Sequence, residues 1–485
     1  GYKINSSSDD AAGYAISEKM RLQLRGLNQA DNNAADGVSV LHTAEGAMEE
    51  IQSMLARMKE LSVQAANGTN SVDERSAIQS EIDSLNSEID RISSNTEFNS
   101  QTLISGNLSR RVYSNYEGVN QIEVSDNFVA GNYGITITQD ARQAIVVGNG
   151  AVTMSDTATV TKEQAGTISM NGYGIEISEG DTLAGIMGKL VDGADKIGGR
   201  VFAITAGATN DTKVNGTDYA GYEPQTSYAG NNIVFMTKES GSSKTMNITC
   251  SNAQLANMLG IATAATNSGM YAEGSDVQAE FTLDNDGKRV GFADSAVIST
   301  SGTRVTVKDV NNRTFVTDVP SNVAGTQFSD TAKADDKSTA TSTQTAKVTQ
   351  EVTDVGTMSV HVGANENQVI LIDIPAVTSY TLGTENLNVM TSVTASEAID
   401  TIDTAVAYAN RVRSQMGAYE NRFEHTTNNL GTASENLTSA ISTMTDTDMA
   451  EEMTEYTSLN VMTQAATSIL AQANERPSTV LQILQ

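Results

Sequence analysis

The stretch from Leu27 to Met58, LNQADNNAADGVSVLHTAEGAMEEIQSMLARM, decides the architecture. Leu27, Ala34, Leu41, Met48 and Leu55 fall seven residues apart, and Ala30, Gly37, Ala44, Ile51 and Met58 each lie three residues further on. Two apolar positions in every seven trace a seam along one face of a helix packed against another helix. No proline interrupts 11–67, so the spacing predicts one helix over that whole span. At 1.5 Å per residue it is a rod of roughly 85 Å. Asn67-Gly68 is the expected stop, because glycine takes the left-handed C-cap conformation without penalty.

Working outward, Ser71-Val-Asp-Glu74 has the form of a capping box. Ile78, Ile82, Leu85, Ile89 and Ile92 then step along one helix face, and Asn95 and Asn99 mark the exit. The other end of the chain repeats the theme. Thr394-Ala-Ser-Glu397 is a second capping-box candidate, followed by Ile402, Ala409, Met416, Phe423, Leu430, Leu437 and Met444 at seven-residue spacing. A break is expected at Thr445–Asp448, where four residues in a row favour caps over helix interiors. A last helix over 449–476 carries Met453, Tyr456, Leu459, Met462, Ala466, Ile469 and Ala473, and Pro477 is expected to end or kink it. The long helices from opposite ends should pack as a bundle, which makes the middle an insertion. The final helix has no evident partner for its apolar face, so a further segment or another molecule is its expected cover.

The middle reads as strands. Tyr133–Ile137, Ile168–Met170, Tyr173–Ile177 and Val305–Val307 alternate in character. Asp284-Asn-Asp-Gly287 is a hairpin turn, short helices are expected near 182–193 and 252–259, and the Thr/Ser-rich run 331–350 reads as a flexible linker in preference to a glycan-bearing surface. A hairpin over Met358–Val362 and Ile370–Ile374 belongs with the helical ends. The fold class is α+β multidomain: a long coiled-coil-like helical bundle from both chain ends with a β-rich insertion. The expected domains are 1–107 plus 357–445 (helical core with the hairpin), 108–356 (insertion, in two parts near 108–275 and 276–356), and 446–485 (C-terminal inner-core helix).

Composition agrees with that picture and excludes several functions. Of 485 residues, 59 are acidic and 30 basic, for a net charge of −29. Such a surface repels phosphate backbones, so nucleic acid is not an expected partner. There is one Cys, no Trp and only 4 Pro, so no disulfide framework or multi-cysteine metal site is available. No run approaches the roughly 18 apolar residues of a membrane span. Of the three histidines, His42, His361 and His425, none forms a zinc-protease motif, and all read as solvated helix or strand positions. Cys250 lacks a basic neighbour to activate it. No phosphate-binding glycine loop or calcium loop is present, and no enzyme activity or cofactor is expected.

The residues that remain point to a family. Gly1-Tyr-Lys-Ile-Asn5-Ser with Asp9-Asp-Ala-Ala-Gly13, Ala30-Asp-Asn-Asn-Ala-Ala-Asp-Gly37, Thr43-Ala-Glu-Gly46-Ala and Met58-Lys-Glu-Leu61-Ser-Val-Gln64-Ala-Ala-Asn67 resemble the N-terminal region of bacterial flagellin. Gly417-Ala-Tyr-Glu-Asn421-Arg-Phe423, Asn428-Asn-Leu430-Gly and Ser468-Ile-Leu-Ala-Gln-Ala-Asn474 resemble its C-terminal region. Segments of the middle, such as Val129–Ile137 and Ile233–Thr237, resemble repeats of flagellin and hook-associated variable domains.

The resemblance implies an extracellular subunit of the flagellar filament that serves motility, is exported without a cleaved signal and self-assembles through its helical ends. It implies as partners other flagellin subunits, an export chaperone, hook-associated proteins and an animal flagellin-sensing Toll-like receptor. Carried over onto matching positions, the receptor-binding patch is Arg57, Leu61, Gln64 and Glu81, and the self-assembly residues are Met462, Ile469, Leu470, Gln472, Asn474, Leu481 and Leu484. Thr427 stands where receptor-activating flagellins carry a larger apolar residue. Flagellins normally carry a helical segment before the Gly-x-x-Ile-Asn motif, the expected partner of 449–476, and a protein lacking that segment is expected to fold its bundle but polymerise poorly. A hook–filament junction protein, with similar helical ends, is the nearest rival reading. An adhesin-like module in 108–356 is the rival from another class.

Overall fold

A computed structural model describes residues 1–125, 128–205, 228–261, 269–310, 313–321, 323–324, 327–328, 340–342 and 345–483. Its helices, in chain order, are α1 (Ala11–Ala66), α2 (Val72–Asn95), α3 (Leu183–Lys196), α4 (Ala253–Met258), α5 (Ser379–Leu382), α6 (Ser392–Thr445) and α7 (Met449–Ile483). The strands lie almost entirely between α2 and α5. The α+β class, with helical ends around a strand-rich middle, is therefore what the chain adopts.

The helix ends show which local signals set them. α2 begins with the capping box: Glu74 N donates to Ser71 Oγ at 3.3 Å, and Ser71 N donates to Glu74 Oε2 at 2.7 Å. Replacing Ser71 with Ala removes one acceptor for an orphan helix N–H and is expected to cost about 1 kcal/mol, read as a lower urea midpoint at unchanged slope. α1 stops at Ala66 by a different device than a left-handed glycine. The guanidinium of Arg75 donates to Ala65 O at 2.9 Å and to Asn67 O at 3.0 Å, so a side chain from α2 takes carbonyls that α1 leaves open. The start of α6 also moves. Thr391 and Thr394 bond each other reciprocally, backbone N–H to hydroxyl at 3.1 Å each, so the helix begins at Ser392 rather than after Thr394. Glu397 instead faces Lys244 at 3.7 Å. The break between α6 and α7 falls where expected, and Asp448 caps α7 by accepting from Ala450 N at 2.9 Å. α7 runs on through Pro477 to Ile483, so proline does not end it.

The chain divides into two compact units. One consists of 1–39, 359–370 and 420–485. Its core joins Ala30 and Ala34 of α1 to Phe423 and Leu430 of α6, all buried. Gly37 is required here, because a Cβ at that position would lie 2.9 Å from the Phe423 ring. The hairpin tip rests on α1 in the same way, with Ala364 over Gly26 and Asn33 Nδ2 donating to His361 O at 2.9 Å. The first residues form a short antiparallel ladder with the α6–α7 junction. Lys3 N donates to Thr445 O at 2.6 Å, and Thr447 N donates to Gly1 O at 3.0 Å.

The other unit consists of 40–358 and 371–419. Leu41, Ala44, Met48, Ile51, Leu55 and Met58 of α1 are buried, as are Ile78, Ile82 and Ile89 of α2 and Ile402, Ala405, Ala409, Val412 and Met416 of α6. Within this unit both heptad seams are therefore core. The strand-rich part holds two bodies. In the first, one sheet runs in the order 278–281, 131–139, 346–352, 112–114 and a second in the order 297–301, 304–308, 314–318, 120–124, all antiparallel. Between them Phe128, Tyr133, Phe292 and Phe315 pack edge to face. In the second, the sheets 270–273, 245–250, 166–170, 173–177 and 143–147, 231–240, 199–205 share a core with Leu183, Ile186, Met187 and Leu190 of α3.

These bodies are not consecutive. Strands at 112–139 pair with strands at 278–352, so the division expected near 108–275 and 276–356 becomes a nested one, with the second body inserted between Arg142 and Ser275. The two positions are antiparallel neighbours: Arg142 N donates to Ser275 O at 2.8 Å and Ser275 N to Arg142 O at 3.0 Å. Of the expected linker 331–350, residues 331–339 and 343–344 lie outside the described residues, and 346–350 form part of a central strand, not a linker. The Asp284–Gly287 turn is present, with Asp284 N donating to Lys288 O at 2.8 Å and Gly287 at φ +76°.

Candidate assembly interface and surface patch

α7 is built as a helix and then left uncovered. Asp448 caps it, and Glu451 and Glu452 in its first turn favour its positive end. From Tyr456 to Asn474 it carries no charged residue. Every residue from Met449 to Val480 is exposed, including Met453, Tyr456, Leu459, Val461, Met462, Ile469 and Leu470. Single exposed apolar residues are ordinary on protein surfaces, but an exposed row on one helix marks an interaction face.

The row has a register. Leu459, Ala466, Ala473 and Val480 are seven apart, with Met462, Ile469 and Ile483 three residues on from three of them. Of the carried-over assembly residues, Met462, Ile469, Leu470, Gln472 and Asn474 are exposed on this helix. Leu481 is within the helix, and Leu484 lies outside the described residues. Val480 and Ile483, beyond Pro477, continue the same seven-residue row. Thr, Ser, Gln and Asn interleave the apolar positions, and no helix among the described residues is long and apolar enough to cross a membrane.

The second candidate surface lies on α1 and α2. Arg57 Nε donates to Glu81 Oε1 at 2.9 Å and Arg57 Nη1 to Glu60 Oε2 at 3.2 Å, and these carboxylates hold the guanidinium pKa above its usual value. Arg57, Glu81 and Gln64 are exposed. Leu61 is not with them: at 2% exposure it belongs to the core. A spacing of four and three puts it on the same side of the helix, but at the edge where that side turns inward.

Little here resembles a reaction centre. His42, His361 and His425 are exposed. Cys250 Sγ donates to Asn252 O at 3.2 Å, and burial raises its thiol pKa, the opposite of activation.

The comparisons with known proteins converge. A family model described as bacterial flagellin N-terminal helical region matches residues 1–109, and one described as bacterial flagellin C-terminal helical region matches 399–484. The chain is 31% identical over 484 residues to a flagellin of Clostridium tyrobutyricum, covering 98% of this chain and 91% of that one. It is 31% identical over 517 residues to a flagellin of Salmonella typhimurium, covering 100% and 93%. Among solved structures it is similar to FliC from Burkholderia pseudomallei, at 14% identity and TM-score 0.23 over 80% of this chain and 99% of that one. It is also similar to hook-associated protein-3 from Legionella pneumophila, at 12% identity and TM-score 0.31 over 88% and 98%.

Proposed function

Since the chain belongs to the bacterial flagellin family and so is a subunit of the flagellar filament outside the cell, we propose that it polymerises through the exposed seam of α7. The observation that carries this is a 35-residue helix whose central nineteen residues, 456–474, hold no charge and are uncovered throughout. Covering one large apolar side chain is worth about 1.5–3 kcal/mol, and a head-to-tail contact whose rotation does not close makes a helical filament. Its role is structural rather than catalytic. Hydrogen exchange tests the reading. Amides of 456–474 are expected to exchange quickly in the subunit and to become strongly protected in filaments. Equal exchange in both states would remove α7 from the interface. Export without a cleaved signal, and contacts with an export chaperone and hook-associated proteins, are parts of the same proposal.

Recognition by an animal flagellin-sensing Toll-like receptor is a second part, supported by the exposed group Arg57, Gln64 and Glu81. Arg57→Ala is expected to weaken receptor binding at unchanged thermal stability, because its ion pairs are solvated. Leu61→Ala is expected to lower thermal stability, since it empties a buried site. A receptor titration and a melting curve on both variants check this; unchanged affinity for Arg57→Ala removes it from the patch.

A further inference from the structure

We propose that Asn67 is a self-modifying residue, and that the loop between α1 and α2 promotes conversion of its side-chain amide to a carboxylate. The chemistry is intramolecular. A base, hydroxide from solvent, takes the proton of Gly68 N. That nitrogen attacks Asn67 Cγ, a C–N bond forms, and the bond to Nδ2 breaks. Ammonia leaves with a proton returned from water, giving a five-membered imide. Water then opens the ring at either carbonyl, yielding Asp or its β-linked isomer. The net change is amide plus water to carboxylate plus ammonium, with no oxidation or reduction.

Three features of the loop favour these steps. Asn67 O belongs to the same peptide unit as Gly68 N, and it accepts from Arg75 Nη2 at 3.0 Å and from Asn70 N at 3.2 Å. When Gly68 N loses its proton, negative charge spreads onto that oxygen, where the guanidinium already sits. Arg75 is itself anchored by Nε donating to Ala65 O at 2.9 Å. The second feature is on the electrophile. Thr69 N donates to Asn67 Oδ1 at 3.3 Å, so a donor stands where the oxyanion of the tetrahedral intermediate develops. The third is space: Asn67 and Gly68 are exposed, and nothing lies within 4 Å of where a Gly68 Cβ would be.

The other Asn-Gly pairs lack this arrangement. At Asn171-Gly172 both side-chain amide atoms are engaged, Oδ1 by Asn247 N and Nδ2 by Thr245 O, each at 2.7 Å. Ring closure there must break both bonds. At Asn149-Gly150 the attacking nitrogen is occupied, donating to Gly260 O at 3.3 Å. Asn215-Gly216 lies outside the described residues. A new carboxylate at 67 would add a negative charge beside Arg75 and just beyond the negative end of α1, one turn from Gln64.

The test follows conversion by peptide mass spectrometry on the full chain held folded at mildly alkaline pH, and in parallel in urea. In the folded protein Asn67 is expected to convert about tenfold faster than Asn171, the size of effect one charge-assisted contact gives. In urea the contrast should collapse, Asn67 slowing and Asn171 accelerating. Folded Arg75→Gln should bring Asn67 down to its rate in urea. If Asn67 converts no faster folded than unfolded, the proposal is overturned, and that comparison needs no variant to fold. An unchanged rate in folded Arg75→Gln would also overturn it.

Discussion

Ile469→Asp is expected to give a subunit that folds and melts like the parent but no longer forms filaments. Ile469 is 65% exposed in the subunit, so an aspartate there meets water and loses no packing. In the filament the same position is to be covered, within a run that offers no positive charge between Tyr456 and Asn474. A carboxylate buried without a partner costs several kcal/mol even after the protein relaxes. That penalty recurs at every subunit, so the concentration needed for assembly should rise by a hundredfold or more, at about 1.4 kcal/mol per tenfold. Sedimentation and electron microscopy against a melting curve separate the two effects. Filaments at the parental concentration would show that the seam is not the interface, while a lowered melting temperature would show that Ile469 serves the subunit itself.

The second large effect lies where α1 and α6 cross. Phe423→Ala should destabilise that unit by about 3–5 kcal/mol, the usual cost of emptying a fully buried aromatic site. Gly37→Ala should also destabilise, against its helix propensity. Glycine inside a helix costs about 0.5–1 kcal/mol relative to alanine, so the exchange would normally help. Here the new Cβ meets Phe423 ring carbons at 2.9 and 3.0 Å, the first closer than real Cβ contacts come and the second at that limit, so the ring must shift. Gly37→Ala combined with Phe423→Leu should therefore lose less than the two single changes added together. Urea unfolding of the four proteins measures this coupling; strict additivity would mean that ring and glycine do not press on each other.

The helices were legible because their signal is periodic. Leu41, Met48 and Leu55 repeat every seven residues, and all are core. Helix ends were less legible, since the groups that close them come from elsewhere. Arg75 caps α1 from another helix, and nothing in Asn67-Gly68 announces it. The same blindness affected Leu61. Its spacing from Arg57 and Gln64 is that of a shared face, but periodicity does not say where that face meets a neighbouring helix. The strands were found from alternation, yet their pairing was not, because alternation identifies a strand without naming its partner. Hence a division near 275 separates 131–139 from 278–281 and 346–352, the strands it pairs with. The α7 surface was legible for the opposite reason, as an apolar pattern with no complementary pattern in the chain to receive it.

The adjoining of Arg142 and Ser275 bears on how this molecule can vary over generations. Whatever lies between two backbone neighbours is, to the remainder of the chain, a single closed loop. Closing a loop twice as long costs only about 0.6 kcal/mol more. Additions and deletions within the body between Arg142 and Ser275 are thus thermodynamically cheap, provided the two flanking strands keep their register. Selection can therefore diversify that inserted body while the helical ends remain under separate constraint.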